Sequence, residues 1–254
     1  MFPYHDENET QRTPIVTFLL IAVCVAAWVL VQGAGAELAV VSSVCNLGLI
    51  PAELLGSVPA GASFPIGGGL LCVTDPGPAY SHILTSMFLH GGWMHLLGNM
   101  WFLWLFGNNI EDSMTRPRFI AFYLLCGVAA ALAQAFADPS SIIPMVGASG
   151  AISGVMGAYL VLYPRVRVFT MIFFGFFVRS VALPAWVMLL YWAGLQLLGG
   201  FGSALDPESG GVAFWAHIGG FVAGVVLVKL FSRSDRIAEH RSHHWQPQHA
   251  GPRQ

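Results

Sequence analysis

Six apolar stretches of this chain, at residues 14–32, 82–106, 119–136, 145–163, 182–200 and 212–231, hold between them a single charged side chain, Lys229. Each is about the length that crosses the hydrocarbon core of a bilayer as a helix, roughly 20 residues. A water-soluble fold has no means of covering so much apolar surface. Only 9% of the 254 residues are Asp, Glu, Lys or Arg and 56% are apolar, whereas soluble domains run at roughly a quarter charged. The sequence therefore predicts an all-α membrane protein, a bundle of six transmembrane helices. A formal charge of -2 offers no basic patch, so nucleic acid is not an expected partner.

The first stretch ends near Ala34-Gly35-Ala36, which is similar to a signal-peptidase site. The residues before it hold Asp6, Glu7 and Glu9 against Arg12, and a secretory leader begins basic, so a retained helix is expected. Every Lys and Arg falls on one side of the six-span layout: Arg12, then Arg116 and Arg118, then Arg165, Arg167 and Arg179, then Lys229, Arg233, Arg236, Arg241 and Arg253. The other side holds Glu37, Glu53, Asp75, Asp138, Asp206 and Glu208. By the positive-inside rule both termini are expected in the cytoplasm.

Three further regions are expected: a cytoplasmic segment over 1–13, the membrane domain over 14–231 with a long outer loop at 33–81, and a disordered polar tail over 232–254. The tail holds His240, His243, His244 and His249, with weak metal or headgroup binding as the alternative to a merely solvated tail. The run Val168–Val178 is too short to cross as helix, and counting it as a span would reverse everything after it, so it is read as interfacial or re-entrant. Cys45 and Cys72 both lie in the outer loop; a disulfide and two free thiols are both open.

Ionisable and amide side chains at membrane depth are costly and mark function by default. On the second stretch, H-G-G-W-M-H-L-L-G-N places His90, His95 and Asn99, the last two on one helical face. The fourth carries Ser149 within G-A-S-G, and the sixth carries His217. Taken singly these residues have bland readings: serine bonding its own helix, Asn and His joining helices, glycine packing faces. Together they say more, because helices two, four and six enter from the same side. Gly150, Gly154 and Gly157 on one helix and Gly220 and Gly224 on another permit close approach, which brings the Ser149 hydroxyl within reach of the His217 ring.

Serine becomes a nucleophile when a neighbouring base takes its proton, and neutral imidazole suits that near neutrality. No carboxylate lies at the depth of His217, so the pair would work as a dyad. Attack on a peptide carbonyl creates an oxyanion, for which His95, Asn99 and the Ser149 amide are the candidate donors. Water must also reach the pair, so a polar cavity open to the outside is expected.

These residues resemble the rhomboid family of intramembrane serine proteases over about residues 82–231. G-A-S-G at 147–150 is similar to the family's G-x-S-G, H-L-L-G-N at 95–99 to its H-x-x-x-N, and A-H-I-G-G-F-V-A-G at 216–224 to its A-H-x-x-G-x-x-x-G. The resemblance implies Ser149 as nucleophile and His217 as base, with His95, Asn99, Gly147 and Gly150 around the oxyanion and substrate. His90, Gly220, Gly224 and Glu111 fall on supporting family positions. It further implies cleavage of single-pass transmembrane proteins in the lipid bilayer without metal or cofactor. A lateral opening beside helix five, Pro184–Gly200, and a multi-pass place in a bacterial inner membrane follow from the same likeness.

Two departures stand out. Ser153 occupies the place of a family tyrosine under the histidine, and Ser81-His82 lies where many members have Trp-Arg. Two other classes of function remain for comparison. A non-catalytic rhomboid-like chaperone would usually lack the Ser or the His, and a haem or metal protein using His90, His95 and His217 would leave G-A-S-G without a role.

Overall fold

The computed structural model describes residues 1–67, 70–75, 77–175, 177–205 and 212–244. After strand β1 (Phe2–Asp6) come helix α1 (Ile15–Leu30), a loop region with α2 (Glu37–Leu47), α3 (Pro51–Leu54) and the hairpin β2 (Ser63–Gly67) and β3 (Leu70–Val73), then α4 (His82–Thr85). Helices α5 (Trp93–Asp112), α6 (Arg116–Ala137) and α7 (Ser149–Leu162) follow, then strands β4 (Arg167–Phe174) and β5 (Phe177–Pro184), and helices α8 (Ala185–Leu205), α9 (Phe214–Phe231) and α10 (Ser234–His244).

Helix α7 is the centre of the bundle. Every residue from Gly150 to Tyr159 is buried, and its main neighbours are α9, α6 and α5. It packs on α9 with backbone almost touching backbone. A Cβ on Gly220 would lie 2.0 Å from the Gly150 carbonyl oxygen, and one on Gly224 would lie 1.9 Å from that of Gly154. Because both contacts advance by four residues on each helix, α7 and α9 run parallel and start at the same end. Gly147, just before α7, stands against the start of α5, so α5 starts there too.

Outside, the bundle is apolar. Leu30 on α1, Leu198 on α8 and Val226 and Leu230 on α9 are exposed, a surface suited to lipid and not to water. Three helical segments are long and apolar enough to cross a membrane: Arg116–Ala137, Ala185–Ser203 and Phe214–Phe231. Helices α1 and α7 are apolar but shorter, and α5 has the length but carries His95, Asn99, Asn108, Asn109, Glu111 and Asp112.

The structure corrects several expectations. The chain is mostly helical, not all-α: β1, β4 and β5 form an antiparallel sheet in the order β1-β4-β5, and β2 pairs with β3. The stretch read as interfacial or re-entrant is part of a strand pair, the β4–β5 hairpin, paired from Arg167 with Pro184 to Phe174 with Phe177. Its Val, Phe, Ile and Thr content favours a pleated strand, and Gly175, with φ +59°, supplies the backbone for the turn. The second stretch is not one helix. After α4 and a single 3-10 turn, Leu89–Gly92 breaks the helix and α5 starts at Trp93, since paired glycines are poor helix formers.

The N-terminal segment joins the sheet. Phe2–Asp6 adds to the sheet, with Phe2 opposite Met171 and Asp6 opposite Val168. The tail, expected to be disordered from Ser232, forms α10 over Ser234–His244. Arg12 bonds Glu239 of that helix and Arg236 bonds the Met114 carbonyl, so α10 is tied back to the bundle. Tail residues 245–254, with His249, and the acidic residues Asp206 and Glu208, expected on the outer side, lie outside the described residues. In the loop region between α1 and α4, Cys45 and Cys72 form a disulfide.

Candidate active site

Ser149 is the first residue of α7, where the amides of a helix's first turn have no intrahelical partner. His217 sits near the start of α9. The glycine contacts between these two helices draw the side chains together, and the Ser149 hydroxyl lies 2.8 Å from His217 Nε2. Both residues are half-buried.

The other nitrogen of the ring, His217 Nδ1, is 2.7 Å from Gln196 Oε1 on α8. An amide oxygen only accepts, so this bond puts the proton on Nδ1 and turns the Nε2 lone pair toward Ser149. Trp192, one turn earlier on α8, lies beside the ring with centroids 5.9 Å apart. Sequence reasoning missed Gln196, although a signal was present. It is a lone amide inside an apolar helix, the same kind of intramembrane polar residue that drew attention to Asn99.

His95, Asn99 and Gly147 converge on the same place. A Cβ on Gly147 would stand 2.8 Å from His95 Nε2 and 3.5 Å from Asn99 Nδ2. Gly147 has φ +130°, a conformation open to glycine alone, and its N–H donates to the Ser86 carbonyl at 2.9 Å. The Gly91 N–H donates to His95 Nδ1 at 3.3 Å, so in the neutral ring the proton resides on Nε2, which faces Gly147. Asn99 Nδ2 is buried and has no protein acceptor. Donors without acceptors therefore gather around Ser149, as an anion-binding hollow needs. A recess beside Ser149 is walled by Met87, Gly127, Ala130, Met145, Gly150 and Ala216.

The supporting residues divide. His90 lies in the break before α5, not on a helix, and its ring meets that of His95 edge-on at 5.2 Å. The buried Gln32 side chain grips the His90 backbone from both sides, donating to its carbonyl at 2.7 Å and accepting from its N–H at 2.8 Å. Gly150, Gly220 and Gly224 serve the close approach of α7 and α9. Glu111 is remote, about 18 Å along α5 from Asn99. Its carboxylate accepts from the Val16 and Thr17 amides at 2.9 and 2.8 Å and from the Thr17 hydroxyl at 2.9 Å, capping the start of α1. Ser153, in place of a tyrosine, donates to the Ser149 carbonyl at 2.6 Å and does not support the ring; Trp192 is the aromatic neighbour instead.

Fold and site together define a helical membrane protein that carries a serine–histidine pair and spare hydrogen-bond donors within its bundle. The sequence matches the Rhomboid domain over residues 78–234, more than half its length, and the chain belongs to the rhomboid family. It is 32% identical over 149 residues to Rhomboid-like protease 5 of Toxoplasma gondii, covering 57% of this chain and 15% of that protein. It is 31% identical over 142 residues to Rhomboid protease GluP of Bacillus subtilis, covering 56% of this chain and 24% of that protein. Rhomboid-like protein 11, chloroplastic, of Arabidopsis thaliana is 30% identical over 161 residues, covering 61% of this chain and 54% of that protein. The chain thus spans about half or less of these relatives' lengths. The family is membrane-embedded and multi-pass, and its proteases are peptidases.

Proposed function

We propose that this chain is an intramembrane serine endopeptidase in which Ser149 attacks the peptide carbonyl and His217 is the base. The observation that carries the reading is the 2.8 Å contact between the Ser149 hydroxyl and His217 Nε2, with Gln196 holding the opposite nitrogen. As the Ser149 oxygen bonds to the carbonyl carbon, its proton passes to His217 Nε2. The carbonyl oxygen becomes an oxyanion that receives hydrogen bonds from His95 Nε2, Asn99 Nδ2 and the Ser149 N–H, donors oriented before the reaction begins. The imidazolium then gives its proton to the departing amine. Water, deprotonated by the same ring, releases the acyl group and restores the serine.

Six helices, α1 and α5 to α9, cross the bilayer in this reading, with both termini cytoplasmic as the arginine distribution requires. The site then opens to the outer side of a bacterial inner membrane. Substrates are single-pass transmembrane proteins that reach the site beside α8, and helix-weak segments are preferred because an intact helix hides its carbonyls. The small walls of the recess beside Ser149 favour a small side chain next to the cleaved bond. The test is cleavage of a co-reconstituted single-pass substrate together with fluorophosphonate labelling. Cleavage and labelling are expected in the wild type and lost in Ser149→Ala. Undiminished cleavage by Ser149→Ala overturns the assignment, and binding of clients without cleavage by the wild type would make the chain a chaperone-like relative.

A further inference from the structure

The outer loop holds a second cluster that proteolysis does not use. Glu53 on α3, Asp75 after β3 and His82 on α4 place one ligand atom each within 4.8 Å of one another, the one group of this kind among the described residues. Glu53 and His82 are 6% and 7% exposed. A buried carboxylate is normally paired with a cation or coordinates a metal. Here no Lys or Arg occurs anywhere between Arg12 and Arg116, so the loop has no Lys or Arg of its own to pair with Glu53 or Asp75.

The imidazole of His82 is in the same position. Its Nδ1 is buried without a hydrogen-bond partner, and its Nε2 faces Asp75 Oδ2 at 3.8 Å, too far for a hydrogen bond. Glu53 uses Oε1 to accept the Asp75 amide at 2.8 Å, which leaves its second oxygen available. Three side chains from three segments thus bring one possible ligand atom each to one place, beside a recess walled by Glu53, Gly56, Thr74 and Asp75.

We propose that Glu53, Asp75 and His82 bind a first-row divalent cation, represented by zinc, that staples the outer loop to α4. One imidazole and two carboxylates suit zinc and argue against calcium, which takes oxygen ligands. Tetrahedral ligation needs donor atoms about 3.4 Å apart, a small closure from the present spacing. Asp75 can supply it, because its side chain is more than half exposed. The scaffold is already fixed: the Cys45–Cys72 disulfide joins α2 to β3, and Thr74 Oγ1 donates to the Pro59 carbonyl at 2.9 Å. From α4 the chain leads directly to Ser86, whose carbonyl holds Gly147. The site goes beyond the proteolytic reading and does not depend on it; the expectation of a metal-free chain came from the family's chemistry, not from this loop.

The test uses the full chain in lipid nanodiscs, stripped with EDTA, then titrated with zinc against a chromogenic chelator, with bound zinc counted by mass spectrometry. The wild type is expected to bind one zinc equivalent more tightly than His82→Gln and Asp75→Asn, which share the same histidine-bearing tail and so the same background. Zinc is also expected to slow cutting of the outer loop by a soluble protease several-fold in the wild type and not in the variants. The count of free thiols after denaturation without reductant reports that the Cys45–Cys72 bond has formed, and Asp75→Asn alters an exposed side chain, so its loss of zinc cannot come from lost packing. A wild type that binds no more zinc than Asp75→Asn, or a His82→Gln protein that keeps the wild-type equivalent, overturns the proposal.

Discussion

The two ends of the bundle treat polar groups in opposite ways. Where α5 stops and α1 starts, each buried carboxylate is met by donors. Glu111 takes three hydrogen bonds. Asp6 accepts from the Tyr159 hydroxyl at 2.6 Å and from Asn109 at 3.1 Å, and Asp112 accepts from the Gln11 amide at 2.8 Å. At the opposite end, Asn99 Nδ2 is buried with no acceptor, and His95 Nε2 and the first amides of α7 surround Ser149. Buried polar groups are nearly always satisfied. Carboxylates met by donors therefore hold the fold together at one end, while the idle donors at the other suit the charge that the proposed reaction would develop.

That contrast can be broken most forcefully at the dyad. Ser149→Ala or His217→Ala should cut turnover of a reconstituted substrate by roughly 10⁴-fold or more with thermal unfolding unchanged; turnover within tenfold of wild type would sink it. The next effect is at the idle donors. Asn99→Ala should lower kcat by about 10²–10³-fold, the usual loss for one oxyanion donor, with KM little altered. A change confined to KM would make Asn99 a substrate-binding group instead.

The satisfied end should respond in the other currency. Glu111→Ala leaves two amides and a hydroxyl buried without an acceptor and should cost about 3 kcal/mol of stability, while kcat per folded molecule stays at the wild-type level. Equal losses of stability and kcat would erase the distinction between the two ends. Gln196→Ala removes one hydrogen bond to the base and should reduce kcat roughly tenfold, with recovery in Gln196→Glu, which restores an acceptor for Nδ1–H.

The smallest effect is outside the membrane. Hydrogen bonding to Arg233 holds the Asp235 carboxyl down at about 2, below its ordinary 3.8. A depressed carboxyl stabilises the fold above its ordinary value and loses that contribution as pH falls through the lower one. Circular dichroism of α10 should therefore hold from neutrality to about pH 4 and change between there and about pH 2, and Arg233→Gln should move that change upward. An Arg233→Gln profile superimposable on the wild type would show that the pair contributes nothing.

Much of this was legible in the chain itself. Hydropathy located the long helices to within a few residues, apart from the break at Leu89–Gly92, because a bilayer imposes a length and a composition on what crosses it. The G-A-S-G, H-L-L-G-N and A-H-I-G-G-F-V-A-G segments marked Ser149, His95, Asn99 and His217 because each is polar where polarity is costly. The β4–β5 hairpin was not legible: a short apolar run has the same hydropathy as strand, re-entrant segment or buried helix, and only pairing with β1 decides. Nor was it legible whether Cys45 and Cys72 pair or stay free thiols, which depends on how the loop folds back.

Sequence alone determined that this chain lives among apolar surroundings, where its long apolar helices fall and which side chains are out of place in them, since those follow from composition and period along one dimension. Tertiary structure alone decided that α7 and α9 meet glycine to carbonyl, that Gln196 reaches His217 from a third helix, and that Glu53, Asp75 and His82 face one another. Contacts between residues distant in the chain depend on how helices pack, and no periodicity along the sequence encodes the angle or the depth at which they meet.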